Sequence, residues 1–133
     1  MKQDMLAEAV AFIRDRDART PDVALILGSG LGALADQLDD AVAIPFAEIP
    51  GFPKAAVVGH AGRLVIGTLE GRTCVVLQGR FHLYEGHEPG TVVLPTRVML
   101  ALGAHTLIVT NAAGGINRTL RAGDLMLIDD HIN

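Results

Sequence analysis

The chain has 133 residues, of which 50% are apolar and 20% are charged, a composition that fits one folded domain and excludes a disordered chain. The formal net charge is −4, the pI is about 5.6, and no Lys/Arg-rich patch occurs, so neither nucleic acid nor an anionic membrane is expected as a partner. A mean hydropathy of +0.36 is high for a self-sufficient soluble domain and predicts apolar surface that needs a cover.

The N-terminal segment predicts an amphipathic helix over residues 4–16. Its apolar side chains recur at helical spacing, at Met5, Ala9, Phe12 and Ile13. The run 20–22 (Thr-Pro-Asp) ends the helix, because proline removes a backbone donor. The first four residues have no apolar core and include an acid, so we expect no export signal and a cytoplasmic protein.

Residues 23–27 form an apolar run that predicts a buried strand, followed by a glycine-rich loop at 28–32 and a short helix over 33–37. Backbone N–H groups at a helix start bind anions, and glycines let a ligand approach them closely. The hydroxyl of Ser29 adds a further donor. This loop is therefore a candidate anion site.

The same loop matches a dinucleotide-binding pattern. Gly28, Gly30 and Ala33 satisfy G-x-G-x-x-G/A, and Glu48 lies near the distance expected of a ribose-binding acid. The following segment, 43–53, is punctuated by prolines and fits an edge segment with a loop better than a second Rossmann strand. The loop alone leaves three interpretations open: a dinucleotide site, another phosphate site, or a tight turn.

Residues 64–69 and 73–78 are two β-prone runs joined by a Glu-Gly-Arg turn, and they predict a β-hairpin. An antiparallel pair departs from simple βαβ winding, which counts against the dinucleotide site. Cys74 is the only cysteine, so no intrachain disulfide can form, and its apolar neighbours predict a packed thiol. A glycine-flanked turn at His60 precedes the hairpin and is open between loop structure and substrate contact.

The run 79–87 places a cation, two imidazoles, a phenol and a carboxylate directly after the second hairpin strand, where open α/β sheets bind ligands. Arg80 offers a planar fork of donors for phosphate, and His82 can donate a hydrogen bond or carry a proton. Glu85 can orient either one, and the ring of Tyr84 suits a sugar. The cluster predicts a phosphate site beside a sugar site.

The last third predicts a helix from a turn at 89–90 to about Leu102, with Gly103 as its stop. Pro95 fits only the first turn of such a helix, so its regular part should start near Val93. The uncharged run 98–117 contains polar residues and glycine, and it divides into a helix end and a strand better than it forms one membrane span.

Two more strands are expected. Residues 107–109 predict a buried strand that runs into a loop of small residues at 111–115, a second place with exposed amides. Residues 125–128 predict a last, uncovered strand. Together these elements predict an α/β fold with a mixed, partly open central sheet and flanking helices. One face of the sheet is expected to be short of cover.

Metal binding is not expected. Two sets of potential ligands, neither with a specific metal-binding spacing, are His82, Glu85 and His87, and Asp129, Asp130 and His131. His105 lies in a helix-to-strand turn and is expected to be structural.

Three stretches taken together resemble the trimeric purine nucleoside phosphorylases: L-I-L-G-S-G-L-G at 25–32, G-R-F-H-L-Y-E-G-H at 79–87 and V-T-N-A-A-G-G-I-N at 109–117. H-A-G-R-L at 60–64 and D-H-I-N at 130–133 also fit. The resemblance covers the chain from Val23 onward. The N-A-A-G-G run is more similar to this branch than to the related methylthioadenosine phosphorylases.

The resemblance implies a nucleoside phosphorylase-like fold and a pentosyltransferase in which phosphate cleaves a purine (deoxy)ribonucleoside to free base and pentose 1-phosphate. It implies a homotrimer in purine salvage, with no metal or organic cofactor, inorganic phosphate being a substrate. The site residues that it implies are Ser29, Arg80, His82 and the amide of Ala112 for phosphate, His82 and Glu85 in catalysis, Tyr84 for ribose, Ala113 and Gly114 beside the base, and His60 in a lid.

The resemblance also predicts that residues 1–133 are the N-terminal part of one larger domain, since members of the family are about twice as long. The family's base-reading glutamate and asparagine, a second phosphate-binding serine and an aromatic from a neighbouring subunit fall beyond Asn133. Three alternatives remain: a non-catalytic phosphate-binding fragment of that enzyme, a methylthioadenosine phosphorylase-like enzyme, and, more weakly supported, a nucleotide-binding module.

Overall fold

The computed structural model of the chain describes residues 2–54 and 62–132. In this part of the chain two α-helices, α1 (Lys2–Arg16) and α2 (Pro89–Ala101), flank a sheet of five strands. The strands are β1 (Val23–Leu27), β2 (Asp39–Pro45), β3 (Arg63–Leu69), β4 (Arg72–Gln78) and β5 (Thr106–Val109). Three short 3-10 helices span Gly32–Gln37, Phe46–Glu48 and Leu83–Glu85.

The sheet is mixed, with the strand order β2-β3-β4-β1-β5. β1 pairs parallel to β4 on one side and to β5 on the other, whereas β2, β3 and β4 form an antiparallel meander. The predicted hairpin is confirmed, and its turn has positive φ at Glu70 (49°) and Gly71 (74°), the conformation that two-residue hairpin loops favour. The predicted mixed α/β sheet is confirmed. The carboxyl ends of the parallel strands β1, β4 and β5 lie together at one end of the sheet, which we call the parallel edge.

The two faces of the sheet are covered unequally. On one face, Ile26, Leu64 and Leu77 belong to a core that includes Ile13 of α1 and Met99 of α2. On the other face, the strand residues pack against the 3-10 helix that follows the glycine loop and against its flank, through Leu34, Ala35 and Leu38. The strand residues of this second face are nevertheless buried, at 7% exposure or less for Leu25, Leu27, Val65, Cys74 and Val76, so the expected shortage of cover is not found there.

β5 is not the buried strand that the sequence predicts. It pairs with β1 along one side only and is the last strand of the sheet. Its apolar side chains are exposed by 38% at Leu107, 46% at Ile108 and 57% at Val109. The prediction of burial was wrong. An apolar run indicates that a strand has side chains suited to packing, but it does not show that another element covers them, and no described element covers the outer strand β5.

Residues 125–128 do not form the predicted last strand. The described residues after β5 contain neither helix nor strand, and Leu125 and Leu127 are exposed by 98% and 93%. A β-strand requires a neighbour that pairs with its N–H and C=O groups, and the ladder ends at β5. The β-prone pattern is present, but its partner is not found among the described residues.

α2 begins earlier than predicted. Residues 89–90 are its first two helical residues rather than a preceding turn, and Pro95 lies in the helix interior. Pro89 is compatible with the first helical position because its missing N–H has no intrahelical partner there. Pro95 is buried in the core, and Leu102 caps the helix before Gly103, whose φ is +121°. No helix of the described residues is both long and apolar enough to cross a membrane.

Candidate functional site

Three loops leave the sheet at its one parallel edge, and most of the predicted site residues lie on them. β1 leads into the glycine loop 28–32, β4 into the run 79–87, and β5 into the small-residue loop 111–115. Since β1 lies between β4 and β5, its loop lies between the other two. This edge is where open α/β sheets bind ligands.

The loops after β1 and β5 are joined by Thr110. The Gly28 N–H donates to Thr110 Oγ1 at 2.9 Å, and the same hydroxyl donates to the Ile26 carbonyl at 2.9 Å. A Cβ placed on Gly28 would lie 2.7 Å from the carbonyl oxygen of Thr110, so only glycine fits at this position without a backbone shift. The two loops are therefore in direct backbone contact.

Arg80 also makes a hydrogen bond to Thr110. Its NH1 donates to the Thr110 carbonyl at 2.7 Å, and its Nε donates to His82 Nε2 at 3.3 Å. A guanidinium has no acceptor, so His82 Nε2 accepts, and the proton of the neutral imidazole is on Nδ1. Arg80 is half-buried, and Thr110 links its guanidinium to the glycine loop.

His82 and Glu85 form a second contact pair. Glu85 Oε2 accepts from the His82 backbone N–H at 2.7 Å and lies 3.2 Å from its Nδ1, which is the protonated nitrogen in this arrangement. The backbone hydrogen bond from His82, with a further contribution from its side chain, lowers the pKa of Glu85 below its ordinary value. The Glu85 side chain thus caps the N-terminus of the short helix Leu83–Glu85 and orients the imidazole of His82.

The aromatic rings of the run 79–87 extend in two directions. The Tyr84 ring stacks on His82, with centroids 4.6 Å apart and planes 19° apart, and Tyr84 is exposed by 84%. Phe81 points the other way and packs on Phe46 and Phe52 of the core at 5.2 and 6.1 Å between centroids. Phe81 therefore anchors the run, and Tyr84 presents a ring to solvent.

The remaining predicted residues lie on the neighbouring loops. Ser29 is exposed on the glycine loop, and Ala112, Ala113 and Gly114 are exposed on the loop after β5. The structure thus joins Arg80, His82, Glu85 and Tyr84 through side-chain contacts and carries the others on the two loops that meet at Thr110. His60 and its predicted turn lie outside the described residues.

Sequence reasoning missed Thr110 and Gln78. Gln78 Nε2 donates to the Gly32 carbonyl at 2.8 Å, and its Oε1 accepts from Arg63 Nε, so it supports the glycine loop from β4. Both residues are polar side chains at the end of an apolar strand, Gln78 as its last residue and Thr110 as the first beyond it. That position, at the exit of an apolar strand, was the available signal.

An apolar cavity of about 240 Å³ lies beneath Arg80, between α2 and the sheet. Its walls include Ile26, Leu77, Phe81, Val93 and Val109. Among residues 2–54 and 62–132, no three His, Cys, Asp or Glu side chains converge in a way that could hold a metal ion. The described groups that can meet a ligand here include the guanidinium of Arg80, the carboxylate of Glu85 and the exposed ring of Tyr84.

The fold and the site together are those of an α/β protein with a candidate anion site at the carboxyl ends of its parallel strands. The site consists of an arginine-histidine-glutamate cluster and a glycine loop. The family model "Phosphorylase superfamily" matches residues 22–133, and the chain belongs to that superfamily. Within it, the chain is 53% identical over 133 residues to purine nucleoside phosphorylase 1 of Geobacillus stearothermophilus. It is 57% identical over 126 residues to purine nucleoside phosphorylase of Bos taurus.

Solved structures agree with these relatives. A crystal structure of a purine nucleoside phosphorylase in complex with ribose-1-phosphate matches 91% of this chain with a TM-score of 0.84 and 50% identity. The Schistosoma mansoni purine nucleoside phosphorylase in complex with inosine matches with a TM-score of 0.83 and 48% identity. The nucleoside phosphorylase-like fold that the sequence predicts is confirmed.

The chain spans about half the length of the relatives that it matches. The match to the Geobacillus stearothermophilus relative includes 100% of this chain and 48% of the relative. The match to the Bos taurus relative includes 95% of this chain and 44% of the relative. The solved structures are likewise covered by 44% and 42%.

Proposed function

We propose that this chain carries the phosphate-binding half of a purine nucleoside phosphorylase site. The observation that carries the proposal is the contact between Arg80, Thr110 and Gly28, which brings a guanidinium beside the glycine loop at the parallel edge. The motifs and the 53 to 57% identity to named purine nucleoside phosphorylases support the choice of reaction. The protein would cleave a purine (deoxy)ribonucleoside with inorganic phosphate and need no cofactor.

The reaction needs a held phosphate more than it needs a strong base. A phosphate oxygen forms a bond to the anomeric carbon while the bond from that carbon to the purine nitrogen breaks. The purine takes the bonding electrons and, in the net reaction, the proton that phosphate loses on becoming an ester, which leaves free base and pentose 1-phosphate. Donors fixed in advance around phosphate position the nucleophile against the sugar cation that develops.

In this proposal, Arg80, Ser29 and the amide of Ala112 bind phosphate together with His82. The contact between Arg80 Nε and His82 Nε2 then has to open, which frees Arg80 Nε to donate to the anion. His82 Nε2, an acceptor while Nδ1 holds the proton, would receive a hydrogen bond from a protonated phosphate oxygen. Glu85 holds the protonated Nδ1 of His82, so ring rotation is opposed and Nε2 stays directed at the site. His82 and Glu85 are in this sense the catalytic pair.

The sugar and base contacts in the proposal use the exposed groups of the same edge. The Tyr84 ring, exposed and stacked on His82, would meet the ribose. Ala113 and Gly114, on the loop that carries Ala112, would border the purine, and His60 would belong to a lid. The exposed apolar side chains of β5 and of residues 125–128 support the further proposals that residues 1–133 are the N-terminal part of one domain and that the protein is a homotrimer. We place it in cytoplasmic purine salvage.

A coupled assay of inosine cleavage tests the function. The full-length protein encoded by the gene, whether it ends at Asn133 or beyond, should release hypoxanthine only when phosphate is supplied and should form ribose 1-phosphate. The 133-residue chain is assayed beside it, because phosphate-dependent release by that chain alone would rule out a non-catalytic fragment. Protection against thermal unfolding by NAD but not by phosphate would instead favour a nucleotide-binding module.

A further inference from the structure

Thr110 touches both parts of the proposed phosphate site. Its carbonyl accepts from Arg80 NH1 at 2.7 Å, and its hydroxyl accepts from the Gly28 N–H at 2.9 Å. We propose that Thr110 is a positioning residue for phosphate, which fixes the glycine loop and Arg80 in one arrangement. This inference rests on the proposed function, since phosphate is the anion that it assigns to the two parts.

The hydroxyl of Thr110 makes hydrogen bonds both to β1 and to the loop after it. Its proton goes to the Ile26 carbonyl at 2.9 Å, which also accepts the Thr110 backbone N–H at 3.0 Å, and one lone pair receives the Gly28 N–H. These bonds join Ile26 of β1 and Gly28, the first residue after β1, to the first residue after β5. They determine where the chain leaves the sheet and hence where Ser29 lies.

Loss of the hydroxyl would affect the two parts of the site differently. Arg80 is held by the carbonyl of Thr110, which every side chain at this position keeps. Gly28 is held by the hydroxyl, so its N–H would lose its partner and the loop would be free to shift. An error of about 1 Å in a positioning element is enough to cost a large factor in rate. The change should therefore weaken phosphate use and leave the contact of the nucleoside with Tyr84 intact.

Three substitutions separate the hydroxyl from the shape of the side chain. Thr110→Val keeps the branched shape and removes the hydroxyl. Thr110→Ala and Thr110→Ser both lack the methyl group and differ from each other only in the hydroxyl, so this pair stays informative if valine disturbs folding. Thr106→Val is the matched control, because Thr106 begins the strand that ends just before Thr110, and its exposed hydroxyl contacts His105 Nδ1 at 3.2 Å.

The assays use the full-length protein, with inorganic phosphate as the calorimetric probe and inosine as the nucleoside. In the Val and Ala variants the KM and the dissociation constant for phosphate should rise about tenfold, and the KM for inosine should stay within about twofold. The Ser variant and the Thr106→Val control should match the parent.

Two results would overturn the inference while leaving the proposed function standing. One is equal phosphate affinity in the Ala and Ser variants. The other is a fall in kcat with an unchanged KM for phosphate, which is what a smaller folded fraction produces. A parent protein that neither binds phosphate nor cleaves inosine would overturn the proposed function and this inference with it.

Discussion

Gly28→Ala is a direct test of the contact between the loops that follow β1 and β5. The added methyl carbon would lie 2.7 Å from the Thr110 carbonyl oxygen, 3.0 Å from the Asn111 Cα and 3.2 Å from the Thr110 carbonyl carbon. All three atoms are backbone, so no side-chain rotation relieves the clash. At least one of the two strand ends must move.

Insertion of one methyl group into such a contact costs about 1–3 kcal/mol. For a chain of this length, about 2 kcal/mol corresponds to a fall in Tm of about 6–10 °C. Thermal unfolding followed by circular dichroism measures the change, with and without phosphate. The shift should be larger with phosphate present, because the displaced loop also loses the ligand's stabilisation.

Gly114→Ala is the matched control, since a Cβ at Gly114 meets nothing within 4 Å. Its Tm should stay within about 2 °C of the parent, as expected of a surface substitution. If Gly28→Ala also melts within that range, the close approach of the two loops is wrong, and the geometry of the proposed phosphate site is wrong with it.

Two further predictions concern the core. Asp17 is buried, and hydrogen bonds from the Arg19 side chain lower the pKa of Asp17. The contribution of this carboxylate to the stability of the fold is therefore present above its ordinary pKa and is lost as the pH falls through its pKa in the folded protein. Asp17→Asn should therefore cost about 2 kcal/mol in urea unfolding at pH 7 and progressively less as the pH falls below the ordinary aspartate pKa. A cost that stays the same throughout acid titration would contradict this prediction. Cys74 is 3% exposed and its pKa is raised by burial, so a disulfide reagent should modify it only after guanidinium unfolding; prompt reaction of the native protein would show that the thiol is accessible.

Local patterns in the sequence were sufficient for much of the fold. β1 has the bounds predicted from its apolar run, and the hairpin of β3 and β4 follows from two β-prone runs and a Glu-Gly turn. These elements depend on residues near one another in the chain. The resemblance, which rests on three separated motifs, supplied the family and the fold that the comparisons then confirmed.

The errors concern properties that depend on distant parts of the molecule. The exposure of β5 and the absence of a strand at 125–128 depend on which partners cover a segment, and an apolar pattern does not contain that information. The position of Pro95 inside α2 depends on the packing that compensates for its missing hydrogen bond. Tertiary packing decided each of these outcomes.

The candidate site was predictable residue by residue but not contact by contact. The sequence identified Arg80, His82 and Glu85 as a cluster, because they lie within six residues of one another. It did not identify Thr110, which is 30 residues from Arg80 and 82 from Gly28 along the chain. Contacts over such separations follow from the strand order, which the pattern did not provide.

The central claim is that Arg80 belongs to a phosphate site, and the phosphate dependence of inosine cleavage tests it most directly. The full-length parent, Arg80→Ala and Arg97→Ala are compared, because Arg97 is an exposed arginine on α2 and serves as the matched loss of one charge. We predict that Arg80→Ala raises the KM for phosphate by at least about tenfold with little change in inosine binding, and that Arg97→Ala matches the parent. An equal loss of phosphate use and inosine binding in Arg80→Ala, or no loss of either, would contradict the account.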